Sequence, residues 1–216
     1  MTYRYFFIIV VVISVFVQSS FGNGFEGSIT LVKQTFYDTT YYTFTVKDRL
    51  VRIDEKNMKF EIMQSLIINL QDKKVTALSP SQKMFTTIQQ SNVNENDKKD
   101  FSVNKSENFK YIDGQKCYLW RIRNVNLNME MSYWVFESDY SFFNEVVDIL
   151  GHTQDYSRFC LYFDQIPNNQ GFFPMLMVEK TLLRDEKMKV SVQCVNRKKV
   201  DNHSFSIPSS YKYLRY

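Results

Sequence analysis

The feature that most constrains this chain is the alternation of apolar and polar residues in short runs from Phe25 onward. The first run places Phe25, Ile29 and Leu31 on one face, and the run at 42–46 alternates aromatic or aliphatic residues with threonines. A period of two residues is typical of strands with one buried face, whereas a helix repeats every 3.6 residues. Such runs recur through the chain and predict an antiparallel sheet, with about six strands before residue 89.

Short polar turns separate these runs. They lie at 47–48, 72–73, 113–114 and 184–185. The Asp-Gly pair at 113–114 is the strongest of these hairpin signals, because both residues tolerate the positive φ angles of a tight turn. Residues 89–100 are polar and have no aromatic side chain, so we predict a solvated loop between two halves of one sheet.

One segment departs from the strand pattern. Apolar residues recur at helical spacing over 141–150, Ser141 is suited to the N-cap, and Gly151 is suited to end a helix. We predict one helix here. Its wide apolar stripe must be buried, and the only apolar surface large enough is the concave face of the sheet, where strand methionines are expected.

The N-terminal residues 1–22 have the three parts of a secretory signal peptide: a charge at Arg4, an apolar core, and small residues before a cut after Gly22, with Gly24 as the alternative. The apolar core of about 12 residues is too short for a membrane span, which needs roughly 20. We therefore expect a periplasmic or secreted protein without a transmembrane segment in the mature chain. Residues 23–216 are predicted to form a single β domain that contains the loop 89–100.

The charge distribution and the sequence motifs limit the classes of function that we expect for this chain. The formal net charge of +4 is spread without a long run of one sign, so it predicts no nucleic-acid partner. His152 and His203 are isolated in sequence, and no zinc, Walker or nucleophile-elbow motif occurs. A G-x-G-x-x-G match at 22–27 runs into a strand rather than opening a helix. We expect no enzyme activity, no metal and no cofactor.

The three cysteines are Cys117, Cys160 and Cys194, and an odd number leaves at least one unpaired in a monomer. We expect all three to be small buried side chains, and a disulfide formed in an oxidising compartment is the alternative. Val190, Val192 and Cys194 alternate along the last long run and are predicted to share one face.

Aromatic and methionine side chains are more numerous than a small core needs. They either fill the core or line an apolar cavity, because methionine adapts its shape equally well to irregular packing and to flexible ligands. From these residues alone, packing is the favoured interpretation and cavity lining is the alternative.

Several phrases, in order along the chain, resemble DUF4412-type bacterial envelope proteins, whose fold is similar to that of the lipoprotein carriers LolA and LolB. The phrases are FEGSIT at 25–30, KDRLVRID at 47–54, IINLQDKKV at 67–75, PSQKMF at 80–85, DGQKCYLW at 113–120, GFFPMLMVEK at 171–180 and FSIPSSYK at 205–212. The resemblance implies a mainly β fold, a curved antiparallel half-barrel (LolA-like) around an apolar cavity, with a covering helix.

With this resemblance, cavity lining becomes as strong an interpretation as packing. The candidate lining residues are Phe44, Met84, Met129, Met131, Tyr133, Phe142, Phe143, Val146, Met175 and Met177. Arg52 is the position most similar to the strand arginine that helps to hold the carriers' cavity closed, so it is the candidate gating residue.

These expectations support two hypotheses of function. The first is an exported, non-catalytic envelope protein that binds a lipid or other apolar ligand, with a lipid or a lipidated protein as partner. The second is a packed structural or protein-interaction domain of the envelope that has no ligand. Both leave the oligomeric state open.

Overall fold

The structure is a computed structural model that describes residues 24–88, 101–151 and 162–215. Within these ranges the chain forms twelve strands, one α-helix and two short 3-10 helices. The strands are β1 (Gly27–Thr35), β2 (Thr39–Lys47), β3 (Leu50–Lys56), β4 (Ile62–Asn69), β5 (Lys74–Ser79), β6 (Met84–Ile88), β7 (Ser102–Ile112), β8 (Gln115–Asn124), β9 (Met129–Glu137), β10 (Phe172–Lys180), β11 (Glu186–Arg197) and β12 (Lys212–Tyr213). The helix α1 is Ser141–Gly151, and the 3-10 helices are Phe163–Gln165 and Asn202–Phe205.

All the strands of the described ranges belong to one sheet, in the order β12-β6-β5-β4-β3-β2-β1-β11-β10-β9-β8-β7. Neighbouring strands are antiparallel, except that β12 runs parallel to β6. The chain proceeds outward from β1 to β6 and returns inward from β7 to β11. The pairing of β1 with β11 therefore joins the two halves of the molecule.

The connection from β6 to β7 requires the sheet to curve. In a flat sheet, the ten spacings from β6 to β7, each about 4.8 Å, would separate these strands by about 48 Å. The thirteen residue steps from Ile88 to Phe101 span at most about 45 Å. Both residues also pack against the same hydrophobic cluster. The predicted fold class, a mainly β curved half-barrel with a covering helix, is confirmed.

The concave face of this sheet carries the hydrophobic cluster that the alternation predicted, including Ile29, Leu31 and Phe44. Helix α1 lies against it and extends the predicted 141–150 by one residue. Its buried side chains are Phe142, Phe143, Val146, Val147, Ile149 and Leu150. No helix in the three described ranges is long and apolar enough to cross a membrane.

On the convex face, the C-terminal segment packs across the first half of the sheet. The Nζ of Lys47 donates a hydrogen bond to the carbonyl oxygen of Val200 at 2.8 Å. Phe205, in the second 3-10 helix, is buried, and Tyr213 of β12 contacts the ring of Phe85 on β6. The convex face of β7 to β11 lies outside this covered area.

The prediction that all three cysteines are buried is wrong at Cys194, which is exposed. In the β1–β11 pairing, Leu31 is opposite Val192 but Thr30 is opposite Cys194, so β11 has one extra residue at this point. Such a bulge reverses the face of every side chain that follows it. Cys117 is buried as predicted, and Cys160 lies outside the described residues.

This difference in burial predicts selective alkylation of the native protein. Burial raises the pKa of the Cys117 thiol, so this residue has neither access to reagent nor thiolate character. Iodoacetamide should modify Cys194 more than about tenfold faster than Cys117. Peptide mapping by mass spectrometry measures both rates, and unfolding in urea should make them similar. Equal rates in the native protein would contradict the burial of Cys117.

Candidate functional site

The predicted lining residues converge on the layer between the concave face of the sheet and α1, which we call the interior layer. Nine of the ten are buried and belong to one hydrophobic cluster. They are Phe44, Met129, Met131, Tyr133, Phe142, Phe143, Val146, Met175 and Met177. Alternation places the strand residues on the concave face, and the helical period turns the α1 residues towards them.

Phe143 of α1 is at the centre of a group of aromatic rings. Its ring centre lies 4.8 Å from that of Phe173, 5.7 Å from that of Phe163 and 6.5 Å from that of Phe44. The first two contacts have the edge-to-face geometry that aromatic quadrupoles favour. Phe163 also contacts the ring of Tyr133. Side chains from β2, β9, β10, α1 and the first 3-10 helix therefore meet at one point.

Phe163 was not among the predicted lining residues, because its 3-10 helix has too few residues to show a period. Polar contacts hold this part of the chain against the sheet. The Asn169 side chain donates to the carbonyl oxygen of Phe163 at 2.7 Å, and Lys105 Nζ donates to the carbonyl oxygens of Pro167 and Asn168 at 2.6 and 2.9 Å. Partial burial lowers the pKa of Lys105.

The polar face of α1 is attached to the sheet by two exposed ion pairs. Arg49, in the turn between β2 and β3, donates to Glu145 at 2.7 Å. Lys73, in the turn between β4 and β5, lies 3.4 Å from Asp148. Exposed pairs of this kind contribute about 0–1 kcal/mol each, so α1 is held mainly by its apolar contacts.

One polar atom on α1 is left without a hydrogen bond in the described part of the chain. The side-chain nitrogen of Asn144 donates to the carbonyl oxygen of Asn169 at 3.3 Å, whereas its side-chain oxygen is buried and unpartnered. A buried acceptor without a donor is unfavourable and needs an explanation. The described residues contain no group of three or more His, Cys, Asp or Glu side chains that could hold a metal ion.

Met84 is the predicted lining residue that the structure does not place in the interior layer. It lies on β6 next to the short edge strand β12, and it lines an open groove of about 210 Å³ with Leu78 and Phe85. The period-two pattern identified its strand, but its distance from α1 depends on the position of β6 near the sheet edge.

Arg52 lies on the convex face, because it alternates with the buried Val51 and Ile53. Its guanidinium donates to Asp54 at 2.8 Å, to the carbonyl oxygen of Ser204 at 3.0 Å and to the hydroxyl of Ser65 at 3.2 Å. The contact with Ser204 holds the C-terminal segment to the sheet, and Arg52 makes no contact with the interior layer among the described residues, so its gating role stays a prediction.

Comparisons with known proteins agree with this architecture. A family model described as "Domain of unknown function (DUF4412)" matches residues 25–211. A search of curated proteins found no match. The crystal structure of an uncharacterized conserved protein from Thermus thermophilus is similar over 88% of this chain and 91% of that chain, with a TM-score of 0.53 and 10% identity. At this identity the likeness shows the fold alone.

Two further solved structures were found at lower similarity. A DUF1329 family protein from Desulfovibrio piger ATCC 29098 has 8% identity, covers 94% of this chain and 96% of that chain, and has a TM-score of 0.33. A protein domain from Vibrio parahaemolyticus, described as outer membrane lipoprotein-sorting, has 6% identity, covers 83% of this chain and 87% of that chain, and has a TM-score of 0.31.

Proposed function

The chain belongs to the DUF4412 family, as its sequence phrases predicted, and from this premise we propose that it is an exported, non-catalytic protein that binds a lipid or other apolar ligand in the interior layer. The observation that carries the proposal is the convergence of nine predicted residues between the concave face and α1. Met129, Met131, Met175 and Met177 are all among them. Methionine side chains adapt to ligands of variable shape.

We propose that a ligand reaches this layer when α1 is displaced. The described sheet has two free ends rather than a closed ring of strands, and α1 is attached to it through apolar packing and two exposed ion pairs. Displacing α1 would therefore expose the concave face without breaking hydrogen bonds between strands. An acyl chain that enters would replace the apolar contacts that α1 loses.

The ligand is proposed to have a polar end. The unpartnered oxygen of Asn144 lies on α1 beside Phe143, so a ligand hydroxyl or amide could donate the hydrogen bond that this acceptor lacks. A lipid with a hydroxyl-bearing or amide-linked head fits both this acceptor and the apolar layer.

Residues 1–22 lie outside the described residues, and we propose that they are removed during export to the periplasm or beyond. The rest of the chain, 23–216, is proposed to act as one domain with 89–100 as its solvated loop. A lipid or a lipidated protein is the proposed partner.

One observation favours a second candidate function. Phe44, Tyr133, Phe143, Phe163 and Phe173 are fully buried, and most of their rings contact one another. An interior filled in this way favours a packed structural or protein-interaction domain of the cell envelope with no ligand.

Native mass spectrometry of protein purified from its own cell envelope tests the proposal. We expect a polypeptide mass that lacks residues 1–22, together with an added mass of several hundred daltons that disappears on denaturation. After lipid extraction, the protein should bind a fluorescent fatty acid saturably. A mass that includes Met1 would contradict cleavage. Absence of both the adduct and fatty-acid binding would leave the packed domain as the function.

A further inference from the structure

Five of the described hairpins turn at the same end of the half-barrel, because β1, β3, β5, β8 and β10 all run towards that end. The β5–β6 turn at 80–83 is polar, and the other four hairpins carry exposed apolar side chains at their tips. Along the sheet these hairpins are consecutive neighbours: β3–β4, β1–β2, β10–β11 and β8–β9. We call their tips the apolar rim. It consists of residues 57–61, 36–38, 181–185 and 125–128.

Every tip of the apolar rim exposes large apolar side chains. Phe36 and Tyr37 are 89% and 92% exposed, and Leu183 is 83% exposed. The other exposed apolar side chains of the tips are Met58, Phe60, Val125 and Leu127. Single exposed apolar residues are ordinary, but a continuous series along one rim indicates an interaction surface.

The opposite end of the half-barrel differs in chemistry. Its turns between β2 and β3, β4 and β5, and β7 and β8 are built from polar residues such as Asp48, Arg49, Asp72 and Asp113. None of these turn residues is an exposed large hydrophobic. Both ends of the half-barrel are made of short turns, so the geometry of the turns does not explain why large apolar side chains are exposed at only one end.

A groove of about 330 Å³ on the convex face of β7 to β11 adjoins the apolar rim. We call it the basic groove. Its apolar floor is Leu119, Trp134, Leu176 and Val178, and its cations are Lys110, Arg121, Lys180 and Lys189. Glu186 is the acidic residue that lines it. No described carboxylate forms an ion pair with any of the four cations.

Two contacts make the basic groove and the apolar rim one surface. The side-chain oxygen of Asn128 accepts a hydrogen bond from the backbone N–H of Leu182 at 3.2 Å, which ties the β8–β9 tip to the β10–β11 tip. Lys180 and Glu186, at the base of the β10–β11 tip, are paired in register and both line the groove. Within the groove, the Nζ of Lys110 lies 4.1 Å from the ring centre of Trp134.

We propose that the apolar rim and the basic groove dock this protein on an anionic lipid bilayer. Unpaired lysines and arginines attract lipid phosphates, while phenylalanine, tyrosine and leucine side chains partition into the interfacial region beneath the headgroups. This surface is separate from the interior layer, so the inference does not depend on a ligand there.

Other occupants match fewer of these features. An acidic peptide would neutralise the basic groove but would leave the aromatic tips of β1–β2 in water. A second copy of the chain could cover the apolar tips. Two copies that packed rim to rim would, however, bring their positively charged grooves towards each other, and like charges repel. The bilayer satisfies both parts of the surface.

Flotation with lipid vesicles tests the proposal. The vesicles are phosphatidylcholine alone and phosphatidylcholine with about a third phosphatidylglycerol, at low and at physiological salt. The unmodified chain is expected to float with the anionic vesicles. The double variant Phe36→Ser, Tyr37→Ser should bind them about tenfold or more weakly, because two exposed aromatic side chains no longer partition.

The chain offers a matched control for this variant. Phe109 and Tyr111 on β7 are also exposed, at 51% and 68%, and their rings meet edge-to-face like those of Phe36 and Tyr37, but they lie outside the apolar rim. The variant Phe109→Ser, Tyr111→Ser removes the same side chains and should bind vesicles like the unmodified chain. All variants keep the same N-terminal segment, so its contribution to vesicle binding is the same in each and cancels when they are compared.

A second pair of variants tests the charge. Arg121→Gln with Lys189→Gln should weaken binding to anionic vesicles about tenfold at low salt, whereas Lys198→Gln with Lys199→Gln, outside the groove, should have a much smaller effect. Circular dichroism confirms that each variant is folded.

The proposal is overturned if the unmodified chain does not float, if the Phe36 and Tyr37 variant floats equally well, or if the groove variant retains full binding. Self-association through the rim without flotation would identify a second copy instead.

Discussion

Replacing Phe143 with alanine is expected to lower the free energy of unfolding by about 3–5 kcal/mol. The Phe143 ring is fully buried and contacts Phe44, Phe163 and Phe173, which lie on three separate elements. Deleting it removes apolar burial and leaves a cavity that strands held in register cannot collapse to fill. Urea denaturation monitored by circular dichroism measures the change.

Phe36→Ala is the matched control, because this ring is exposed at a hairpin tip and its loss should change stability by less than about 0.5 kcal/mol.

Fatty-acid binding separates the two functions proposed for the interior layer. If Phe143→Ala weakens binding but costs less than about 1 kcal/mol, the layer is ligand space rather than packed core. If the full loss of stability occurs and the unmodified protein binds no fatty acid, the ligand-binding function is wrong.

Gly27→Ala is expected to cost about 3 kcal/mol or more, because two penalties combine at this position. Gly27 has a φ of +146°, and an added Cβ would lie 2.1 Å from the backbone oxygen of Asn196. Gly27 pairs with Arg197 of β11 and Val46 of β2, so relieving the clash would disturb the strand pairing that joins the two halves of the sheet. Urea denaturation measures this change too.

Two other glycines separate the penalty of a positive φ from the penalty of the Cβ clash. Gly114→Ala retains a positive φ of +74° but places the Cβ in open space, so it should cost about 1 kcal/mol. Gly24→Ala meets no atom within 4 Å and should be nearly neutral. If Gly27→Ala costs no more than Gly114→Ala, then β11 shifts easily and the clash does not restrain the β1–β11 pairing.

Much of the candidate site could be predicted from local patterns. Alternation identified Phe44 as inward-facing, and the helical period did the same for Phe143 and Val146. These assignments hold because a side chain's direction follows from its own backbone geometry. The Asp-Gly turn at 113–114 also lies between β7 and β8 as predicted, since turn preferences act within a few residues.

Predictions that depended on distant partners were less successful. Cys194 was predicted to face inward with Val190, but the bulge opposite Thr30 turned it to solvent. Phe163 enters the core from a 3-10 helix too short to show a period. The gating role of Arg52 was assigned by resemblance and stays a prediction; its guanidinium contacts a segment about 150 residues away in sequence, through the carbonyl of Ser204.

The sequence by itself determined that the chain forms short strands and one helix, the apolar faces of β2 and α1, and the turns at 47–48, 72–73, 113–114 and 184–185. These properties are set by contacts between residues close together in the chain. The tertiary structure alone decided that β1 pairs with β11, that nine lining residues meet beneath α1, and that four apolar tips share one rim. Each of these depends on strand order and register, which are properties of the whole sheet and have no signature in any one segment.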